Sequence, residues 1–595
     1  MEIKKEKNTL YYIWEMIKYR PWLYLCNCIL WTLIHISPLI PGLLAKEFFD
    51  NLSGNASVNI GIWGLLVLMI MVTLIRIVFI AIGGRVDIVH RFNMSGLIRR
   101  NLLQGILDKP GARSLACSAG EAVNCFRDDA DQAENSISWT LDVIGSAVFA
   151  LVAVIILLNI NAKITLLVFT PLVLVVALAQ RAGERIEKYR EASREATANV
   201  TGAMGEIFSS VQAIKVAGAE KDILSNLNSL NKIRHTLTLK DSILNQLMQS
   251  IYENTVSLGT GLILLLAGQS IKSGDFSVGD FALFVYYLAF VADFTQFFGS
   301  FIAHYQQTGV AFRRMIELLQ EDSGETLVQH NPLYLKEDIE KKNTIDDKIN
   351  LKLNTDKLQI LEIKDLTYTY EGTGNGIRSV NFLIEGGSFT VITGRIGSGK
   401  STLVKTILGL LPKEGGEIIW NGKNIKDPSE FFVPPISAYT SQVPNLFSDT
   451  LKQNILLGLS EIESEFKSAI HSAVLERDIE VLPKGIETVI GSKGVKLSGG
   501  QIQRTAAARM FARKAELYVF DDISSALDVD TEVTMWNRLF NSNKSTCVVV
   551  SNRKFVLQQA DNIIVMKEGK VEAQGTLEEL LDSSEEMKHI WNIIK

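Results

Sequence analysis

The sequence predicts two domains of different fold class in one chain of 595 residues: an all-α domain of six membrane-spanning helices, followed by an α/β domain. The chain is 47% hydrophobic with a mean hydropathy of +0.17, which is more apolar than an ordinary soluble enzyme. Long apolar segments are confined to the first half. In the second half, a glycine-rich loop lies between an apolar strand pattern and a helix pattern.

Charge and cysteine content exclude several classes of function. The formal net charge of −5 gives no support to nucleic-acid binding, which requires a strongly basic domain or surface. None of the five cysteines forms a C-x-x-C pair, which argues against a zinc site and against a disulfide framework. We therefore expect no nucleic-acid partner.

Six segments are long and apolar enough to cross a membrane, which takes about 20 residues for about 30 Å of hydrocarbon. The third and fourth are separated only by Asn159–Lys163, so we expect a hairpin there. The predicted spans are Trp22–Leu44, Ile60–Gly83, Ile137–Leu158, Ile164–Gln180, Tyr252–Ile271 and Phe281–Ile302.

The segment before the first span, Met1–Tyr19, is polar and contains Tyr11, Tyr12 and Trp14. The first apolar segment is longer than the apolar region of a signal peptide and lacks a small-residue cleavage site. We interpret it as an uncleaved span preceded by an interfacial helix whose aromatic side chains lie at headgroup level.

The two long connections, after spans two and four, are polar and rich in basic residues. By the positive-inside rule they and both chain termini are cytoplasmic. Each long connection is interpreted as the continuation of two membrane helices, with its tip near Ser114–Gly120 or Ser209–Lys215. Their basic residues are Arg85, Arg91, Arg99, Arg100, Lys109 and Arg113, and Arg185, Lys188, Arg190, Arg194, Lys215 and Lys221.

Two charged residues, Arg76 and Asp293, lie inside predicted spans. An arginine within a membrane span costs about 2.5–3.5 kcal/mol on insertion scales, so such residues usually face a partner or a cavity. Two interpretations stay open. Either these side chains are structural, or they border the path of a transported substrate.

The composition changes to charged and polar residues between 321 and 357, which predicts a solvated linker. The expected organisation is therefore a membrane domain over 1–320, a linker over 321–357 and an α/β domain over 358–595.

A phosphate-binding loop is the strongest motif in the α/β domain. It follows the apolar strand Phe389–Thr393, precedes a helix pattern that begins at Thr402, and fits G-x-x-x-x-G-K-[ST]. In such a loop, backbone N–H groups converge on phosphate, the lysine reaches the β and γ oxygens, and the serine ligates Mg²⁺. Its residues are Gly394, Arg395, Ile396, Gly397, Ser398, Gly399, Lys400 and Ser401.

Two further motifs follow. The apolar run Leu517–Phe520 ends at Asp521, which can hold the Mg²⁺ shell beside the loop. Between the two strands lies the sequence L-S-G-G-Q, which precedes a helix pattern and could be an anion site or a capped helix start. Its motif residues are Ser498, Gly499, Gly500 and Gln501, after Leu497.

The order of these motifs, completed by S-A-L-D at 525–528, resembles the ATP-binding cassette (ABC) family, and six spans fused upstream resemble its half-transporter exporters. The resemblance implies an all-α six-helix transmembrane domain and an α/β P-loop ATP-binding cassette domain. It implies that Tyr370 stacks on adenine and that Gln442 contacts Mg²⁺ and senses the membrane domain. It also implies that two cassettes pair head to tail, with the L-S-G-G-Q of one chain completing the ATP site of the other.

Two residues depart from the family pattern. Asp522 stands where the family usually has a glutamate that polarises the attacking water, and Asn552 stands where it has a histidine near the γ-phosphate. Aspartate is one methylene shorter, and a displacement of about 1 Å can cost about 10²-fold in rate. Asparagine cannot carry the imidazole's charge or proton. We expect ATP and Mg²⁺ to bind and hydrolysis at this chain's own loop to be slow.

The favoured hypothesis is ATP-driven export of a lipophilic or amphipathic substrate, such as a lipid, drug or peptide, across a membrane that we expect to be the bacterial cytoplasmic membrane. The alternative is an ATP-binding regulatory half whose partner performs the turnover. An importer is disfavoured because importers of the superfamily generally keep the two domains on separate chains. A peptide-processing exporter is disfavoured because the segment before span one is too short for a protease domain. A heterodimer with a second half-transporter is favoured over a homodimer, since both altered residues belong to one ATP site.

Overall fold

The structure of the chain is a computed structural model. It describes residues 7–593 apart from 55–59, 110, 112–116, 118, 273–275, 321–323, 334–356, 371, 492–493, 524–526 and 543–544. The chain forms two compact units. The first comprises Met1–Ile106 and Leu115–Leu333, and the second comprises Leu107–Ser114 and Tyr334–Lys595.

The first unit is helical, as predicted. Its helices are α1 (Thr9–Tyr19), α2 (Pro21–Ile36), α3 (Leu39–Leu52), α4 (Ile62–Leu107), α5 (Ala119–Asn124), α6 (Ala130–Ser209), α7 (Val211–Ala217), α8 (Glu220–Lys272) and α9 (Val278–Leu319). A π-helical turn (Cys125–Asp129) joins α5 to α6, and a 3₁₀ turn (Thr326–Val328) follows α9.

The long helices extend well beyond the thickness of a membrane. α4 has 46 residues and α8 has 53, which at a rise of about 1.5 Å per residue exceeds the roughly 30 Å of a hydrocarbon core. The prediction that the long connections continue the membrane helices is confirmed for these elements. The short helix α7 lies at the second predicted tip and ends at Gly218, which is left-handed. The first predicted tip, Ser114–Gly120, falls largely outside the described residues.

Within the described residues, four helical segments are long and apolar enough to cross a membrane: Pro21–Leu52, Ile62–Leu107, Gly120–Thr170 and Val278–Leu319. They contain the first, second, third and sixth predicted spans. The side chains of most of the fourth span lie outside the described part. The fifth contributes a shorter apolar stretch, Ser257–Gly268, and the side chains of residues 251–253, 255–256 and 269 around it lie outside the described part.

The break predicted between the third and fourth spans is present, whereas the first span has an interruption that we did not predict. α6 covers both the third and fourth spans, and its helical geometry breaks at Asn161, inside the predicted Asn159–Lys163 connection. The Asn161 side chain accepts a hydrogen bond from the Ile164 N–H at 3.0 Å, as a helix cap does. The first span is interrupted between α2 and α3 at Pro38, since proline cannot donate a helical hydrogen bond.

The N-terminal helix α1 forms as predicted, but its aromatic residues do not all lie at a membrane surface. Tyr12 is only 3% exposed and stacks on Phe312 with ring centroids 4.9 Å apart, whereas Trp14 is exposed. The expectation of headgroup contact is therefore wrong for Tyr12. Its ring stabilises the helical core because burial in protein removes more apolar surface from water than an interface does.

The first unit continues to Leu333, past the boundary expected at residue 320. Leu327 and Val328 are buried in the same apolar cluster as Leu102 and Met315. The Asn101 side chain donates to the carbonyls of Leu327 and Gln329 at 3.1 and 2.8 Å. Leu327 and Val328 are two apolar residues within a charged stretch, and the composition of that stretch did not reveal that they are buried. The linker predicted from residue 321 therefore starts too early.

The second unit is α/β, as predicted, with two sheets. Its strands are β1 (Ile360–Thr369), β2 (Gly376–Glu385), β3 (Phe389–Gly394), β4 (Gly415–Trp420), β5 (Lys423–Asn424), β6 (Ser437–Thr440), β7 (Leu517–Asp521), β8 (Thr546–Val550), β9 (Asn562–Lys567) and β10 (Lys570–Gly575). Its helices are α10 (Lys400–Ile407), α11 (Pro428–Phe431), α12 (Leu451–Leu456), α13 (Glu463–Ser472), α14 (Glu476–Val481), α15 (Gly499–Phe511), α16 (Val529–Ser542), α17 (Lys554–Gln558), α18 (Leu577–Ser583) and α19 (Glu585–Ile593).

The larger sheet has the order β10-β9-β3-β8-β7-β6, and β9, β3, β8, β7 and β6 run parallel. Every residue of β3, β7 and β8 is buried, as expected for parallel strands covered on both faces. The smaller sheet, β2-β1-β4-β5, is antiparallel. Because parallel strands end at one edge of a sheet, residues that follow β3, β8, β7 and β6 are brought together there.

Candidate functional site

Four neighbouring strand ends carry the residues that the sequence singled out. The phosphate-binding loop follows β3, Asn552 lies two residues beyond β8, Asp521 ends β7, and Gln442 lies two residues beyond β6. Residues separated by more than 100 positions therefore meet at one edge of the larger sheet.

The conformation of the phosphate-binding loop depends on glycine at two positions. Gly394 has φ +151°, and a Cβ there would lie 2.3 Å from the Met566 carbonyl oxygen. A Cβ at Gly397 would meet no atom within 4 Å, but its φ is +84°. Glycine is therefore favoured there by the backbone conformation and not by a lack of space. Ser398 is buried, and its hydroxyl has no hydrogen-bond partner within the described part of the chain. The loop thus offers an unpaired polar group of the kind that a phosphate oxygen can bind.

Lys400 begins α10 and curls over the loop. Its ammonium group donates to the carbonyls of Gly394 and Arg395 at 2.7 and 2.8 Å. Burial lowers the pKa of Lys400, while the nearby carboxylates of Asp522 and Asp521 act in the opposite direction. The lysine is therefore a desolvated cation at the start of a helix, where a negative charge is favoured.

Ser401 and Asp521 form an oxygen pair suited to a divalent cation. The Ser401 hydroxyl donates to one Asp521 carboxylate oxygen at 2.7 Å, and the Tyr439 hydroxyl donates to the other at 3.3 Å. Neighbouring ligands of octahedral Mg²⁺, each about 2.1 Å from the ion, lie about 3 Å apart. The chemistry and spacing of this pair fit Mg²⁺.

Asp522 follows Asp521 in a left-handed backbone conformation, with φ +53°. Its carboxylate accepts a hydrogen bond from the Gln442 side-chain amide at 3.1 Å, and its N–H donates to the Val550 carbonyl at 3.1 Å. Burial raises the pKa of Asp522 above the ordinary carboxyl range, with hydrogen bonding from Gln442 opposing the shift. The sequence-predicted pair Gln442 and Asp522 is therefore in direct contact.

Asn552 is held by the neighbouring strand rather than directed freely into the site. Its side-chain oxygen accepts a hydrogen bond from the Thr393 hydroxyl at 2.8 Å, and its amide donates to the Gly394 carbonyl at 3.3 Å. Both partners lie at the end of β3, so Asn552 fastens the start of the phosphate-binding loop.

Tyr370 follows β1 and is 39% exposed. Its hydroxyl lies 3.4 Å from that of Thr402, and its ring packs edge-on against Tyr368 with centroids 5.0 Å apart. Ile396, at the tip of the loop, is fully exposed. The hydroxyl contact places Tyr370, the residue expected to stack on adenine, beside the helix that carries Lys400.

The L-S-G-G-Q residues form a separate hydrogen-bond network. Ser498 caps α15 and exchanges reciprocal hydrogen bonds with Gln501, at 2.9 and 3.3 Å. The Gln501 amide donates to Asp478 at 3.1 Å, and Arg504 donates to the same carboxylate at 3.0 and 2.7 Å. The capped-helix interpretation is therefore correct for the local structure. Gly499 and Gly500 form the first turn, where backbone N–H groups are free to bind an anion.

Sequence reasoning missed three supporting residues. Tyr439 holds Asp521, Thr393 holds Asn552, and Glu586 forms an ion pair with Arg395 of the loop at 2.6 Å. Glu586 is 2% exposed and lies on α19, nearly 200 residues further along the chain. No local motif marks these residues. The first part of S-A-L-D, 525–526, lies outside the described residues.

Comparison with known proteins identifies the class. The ABC transporter transmembrane region matches residues 25–293, and the ABC transporter domain matches residues 377–525. The chain belongs to the ABC transporters, with a transmembrane region and an ATPase domain fused in one polypeptide, and it is of the exporter type. Its ATPase domain binds ATP and couples hydrolysis to transport.

The relatives share modest identity over most of this chain. The ATP-dependent lipid A-core flippase of Photobacterium profundum is 25% identical over 81% of this chain and 80% of its own length. The ABC transporter B family member 1 of Dictyostelium discoideum is 24% identical over 84% of this chain but 53% of its own length. The chain thus spans about half the length of the second relative.

A solved structure has the same fold. The structure of a bacterial Atm1-family ABC exporter with ATP bound superposes with a TM-score of 0.78, at 19% identity, covering 96% of this chain and 98% of that chain. The likeness extends over both the helical and the α/β parts.

Proposed function

We propose that this chain is one half of a heterodimeric exporter, and that its own phosphate-binding loop binds ATP but hydrolyses it slowly. ABC exporters function as dimers, and one relative is about twice as long as the region it shares with this chain. The single observation that carries the proposal is the asymmetry of the motifs. Asp522 and Asn552 depart from the family pattern, while Ser498–Gln501 matches it.

In this proposal ATP binds at the edge formed by β3, β8, β7 and β6. Tyr370 stacks on adenine, and the backbone of residues 394–402 surrounds the phosphates. Lys400 transfers its hydrogen bonds from two carbonyls to the β and γ oxygens, which adds a charge-assisted interaction. Ser401, Gln442 and Asp521 hold Mg²⁺, which supplies charge neutralisation at the phosphates when bound.

Slow hydrolysis follows from what Asp522 and Asn552 contact. A general base must reach the proton of the attacking water, and the Asp522 carboxylate is short and already bonded to Gln442. Asn552 is engaged with Thr393 and Gly394 and has no titratable proton. Positioning and binding are retained, while activation of water is weakened.

The partner site is proposed to be competent. Ser498, Gly499, Gly500 and Gln501 of this chain complete the ATP site built on the partner's phosphate-binding loop, and the network around Asp478 keeps that segment rigid. The partner then carries the glutamate and histidine that this chain lacks. ATP closes the paired cassettes, and hydrolysis at the competent site resets the transporter.

The cargo is proposed to be lipophilic or amphipathic, and the membrane to be a bacterial cytoplasmic membrane, with the termini and the ATPase domain in the cytoplasm. The basic residues of the long connections support this orientation. Membrane lipid surrounds the apolar helices, of which Trp63 and Ile70 are among the exposed residues.

The asymmetry also favours a second candidate, in which the chain is an ATP-binding regulatory half and the partner performs all turnover. The two candidate functions differ in whether cargo changes the ATPase activity. An exporter half changes ATPase on binding cargo at its own helices, whereas a purely regulatory half responds only to nucleotide.

The test is purification of the tagged chain from its native membrane, followed by native mass spectrometry and ATPase assay. We expect a complex of one 66.0 kDa chain with a different half-transporter. The partner sequence should carry Glu and His at the positions matching Asp522 and Asn552. A homodimer with full cargo-stimulated ATPase, abolished by Asp522→Asn, would overturn the proposal.

A further inference from the structure

A cavity of about 330 Å³ lies among four helices of the first unit, at the level where Pro38 interrupts the first span. This volume is within the range that holds a small organic ligand. Five of its ten lining residues are aromatic or apolar, and the other five are polar or charged. The lining residues are His35 and Pro38 before α3, Arg76 on α4, Asp142, Ser146 and Phe149 on α6, and Phe290, Asp293, Phe294 and Phe297 on α9.

Arg76 and Asp293 both face this cavity without a protein partner. Neither forms an ion pair or a hydrogen bond with any residue that the structure describes, and the Arg76 Nε atom is buried. Because no described residue pairs with either side chain, both stay available to a ligand in the cavity.

Two of the other polar side chains on the wall, His35 and Asp142, already bond to each other. The His35 Nε2 atom lies 3.0 Å from an Asp142 carboxylate oxygen. The imidazole packs against Gly145, where a Cβ would lie 2.6 Å from the ring. Glycine at this position therefore lets the two helices approach closely enough for the pair to form. Asp142 is hydrogen-bonded to His35, whereas Asp293 has no partner among the described residues.

We propose that this cavity binds a zwitterionic amphipath: Arg76 binds its anionic group, Asp293 binds its cationic group, and the phenylalanine wall holds its apolar body. Phe290, Phe294 and Phe297 lie on the same helix as Asp293, so the cationic group and the apolar body are recognised side by side. A ligand with only one charge would leave the other protein charge without a partner inside a membrane span. This assignment of cargo class rests on the proposed export function.

The test uses four dipeptide probes that share one body and differ only in charge. Phenylalanyl-phenylalanine is zwitterionic, its C-terminal amide is cationic, its N-acetyl form is anionic, and the doubly capped form is neutral. Each is titrated calorimetrically into the assembled transporter in nonionic alkyl-maltoside micelles without nucleotide, and partitioning into empty micelles is subtracted, because a zwitterionic phospholipid would itself compete for the cavity. We expect the zwitterion to bind about tenfold more tightly than either singly charged probe, since each charged contact contributes about that factor.

Two variants assign the charges. Arg76→Gln should weaken the zwitterion and the anionic probe about tenfold and leave the cationic probe unchanged. Asp293→Asn should weaken the zwitterion and the cationic probe and leave the anionic probe unchanged. Arg76→Lys, which keeps the charge, should retain the preference. Arg85→Gln is the matched control, because Arg85 is an exposed arginine on the same helix that does not line the cavity, and it should change nothing.

The wild-type titrations alone can overturn the proposal, whether or not a variant folds. Equal affinity for all four probes, tighter binding of a singly charged probe, or no saturable binding of any probe would each do so. Because the titrations contain no nucleotide, they are independent of the proposed ATPase asymmetry. A transporter that prefers the zwitterion but proves to be a homodimer would contradict the proposed function and leave the cavity assignment standing.

Discussion

The ATPase domain contains two functional segments, the phosphate-binding loop and the L-S-G-G-Q segment, which we call the signature segment. They differ in how their polar groups are hydrogen-bonded. At the phosphate-binding loop, Lys400, Asp522 and Asn552 bond to backbone or neighbouring side chains of this chain, and Ser398 is buried without a described partner. At the signature segment, Ser498 and Gln501 satisfy each other and Asp478. The first is suited to hold a ligand, and we propose that it activates water only weakly. The second is a rigid helix start with its backbone N–H groups available.

The largest effect is expected at the signature segment. Ser498→Ala removes a cap and a hydroxyl proposed to contact the partner's ATP, so ATPase of the complex should fall about 100-fold or more. The matched control is Thr576→Ala, which removes the same kind of capping box, with Glu579, from α18. Each should cost about 1 kcal/mol of stability. Equal ATPase losses in the two variants would mean that Ser498 acts only as a cap.

An intermediate effect is expected at the phosphate-binding loop. Lys400→Ala should weaken ATP binding at this chain's own site about 10- to 100-fold, because a charge-assisted contact to the phosphates is lost. Lys405→Ala, on the same helix and outside the loop, is the control. Equilibrium binding of a fluorescent ATP analogue to the complex, with the partner site mutated, measures the difference. Unchanged affinity in the Lys400 variant would remove the basis for the phosphate-loop assignment.

The smallest effect is expected at Asp522. Asp522→Asn should lower ATPase of the complex by less than about twofold, since turnover is proposed to occur at the other site. Loss of most of the activity would contradict the asymmetric assignment.

The pH dependence of residual hydrolysis at this chain's site tests whether Asp522 acts as a base. Burial raises the pKa of Asp522, so this carboxylate takes up a proton at a higher pH than an ordinary aspartate. Any base activity of Asp522 is therefore present at high pH and lost as the pH falls through the raised pKa. Single-turnover hydrolysis with the partner site mutated should show this acid limb, and Asp522→Asn should abolish it. A flat profile in the wild-type chain would exclude Asp522 as the base.

Local sequence patterns were enough to predict the class of each domain and to propose the core of the nucleotide site. A phosphate-binding loop needs glycines, a lysine and a serine at fixed spacing within eight residues, and a membrane helix needs a continuous apolar run, so a short stretch of sequence is enough to predict either. The departures at Asp522 and Asn552 were also visible, because each lies at a fixed offset from a strand.

Which distant side chains meet depends on the tertiary structure. Thr393 and Asn552, Arg395 and Glu586, and His35 and Asp142 are separated by more than 100 residues, and no local pattern predicts their pairing. The same is true of Arg76 and Asp293, whose position on one cavity depends on how four helices pack. Secondary structure follows from short-range periodicity, whereas a polar contact between distant elements depends on sheet order, helix packing and strand register, which no short stretch of sequence contains.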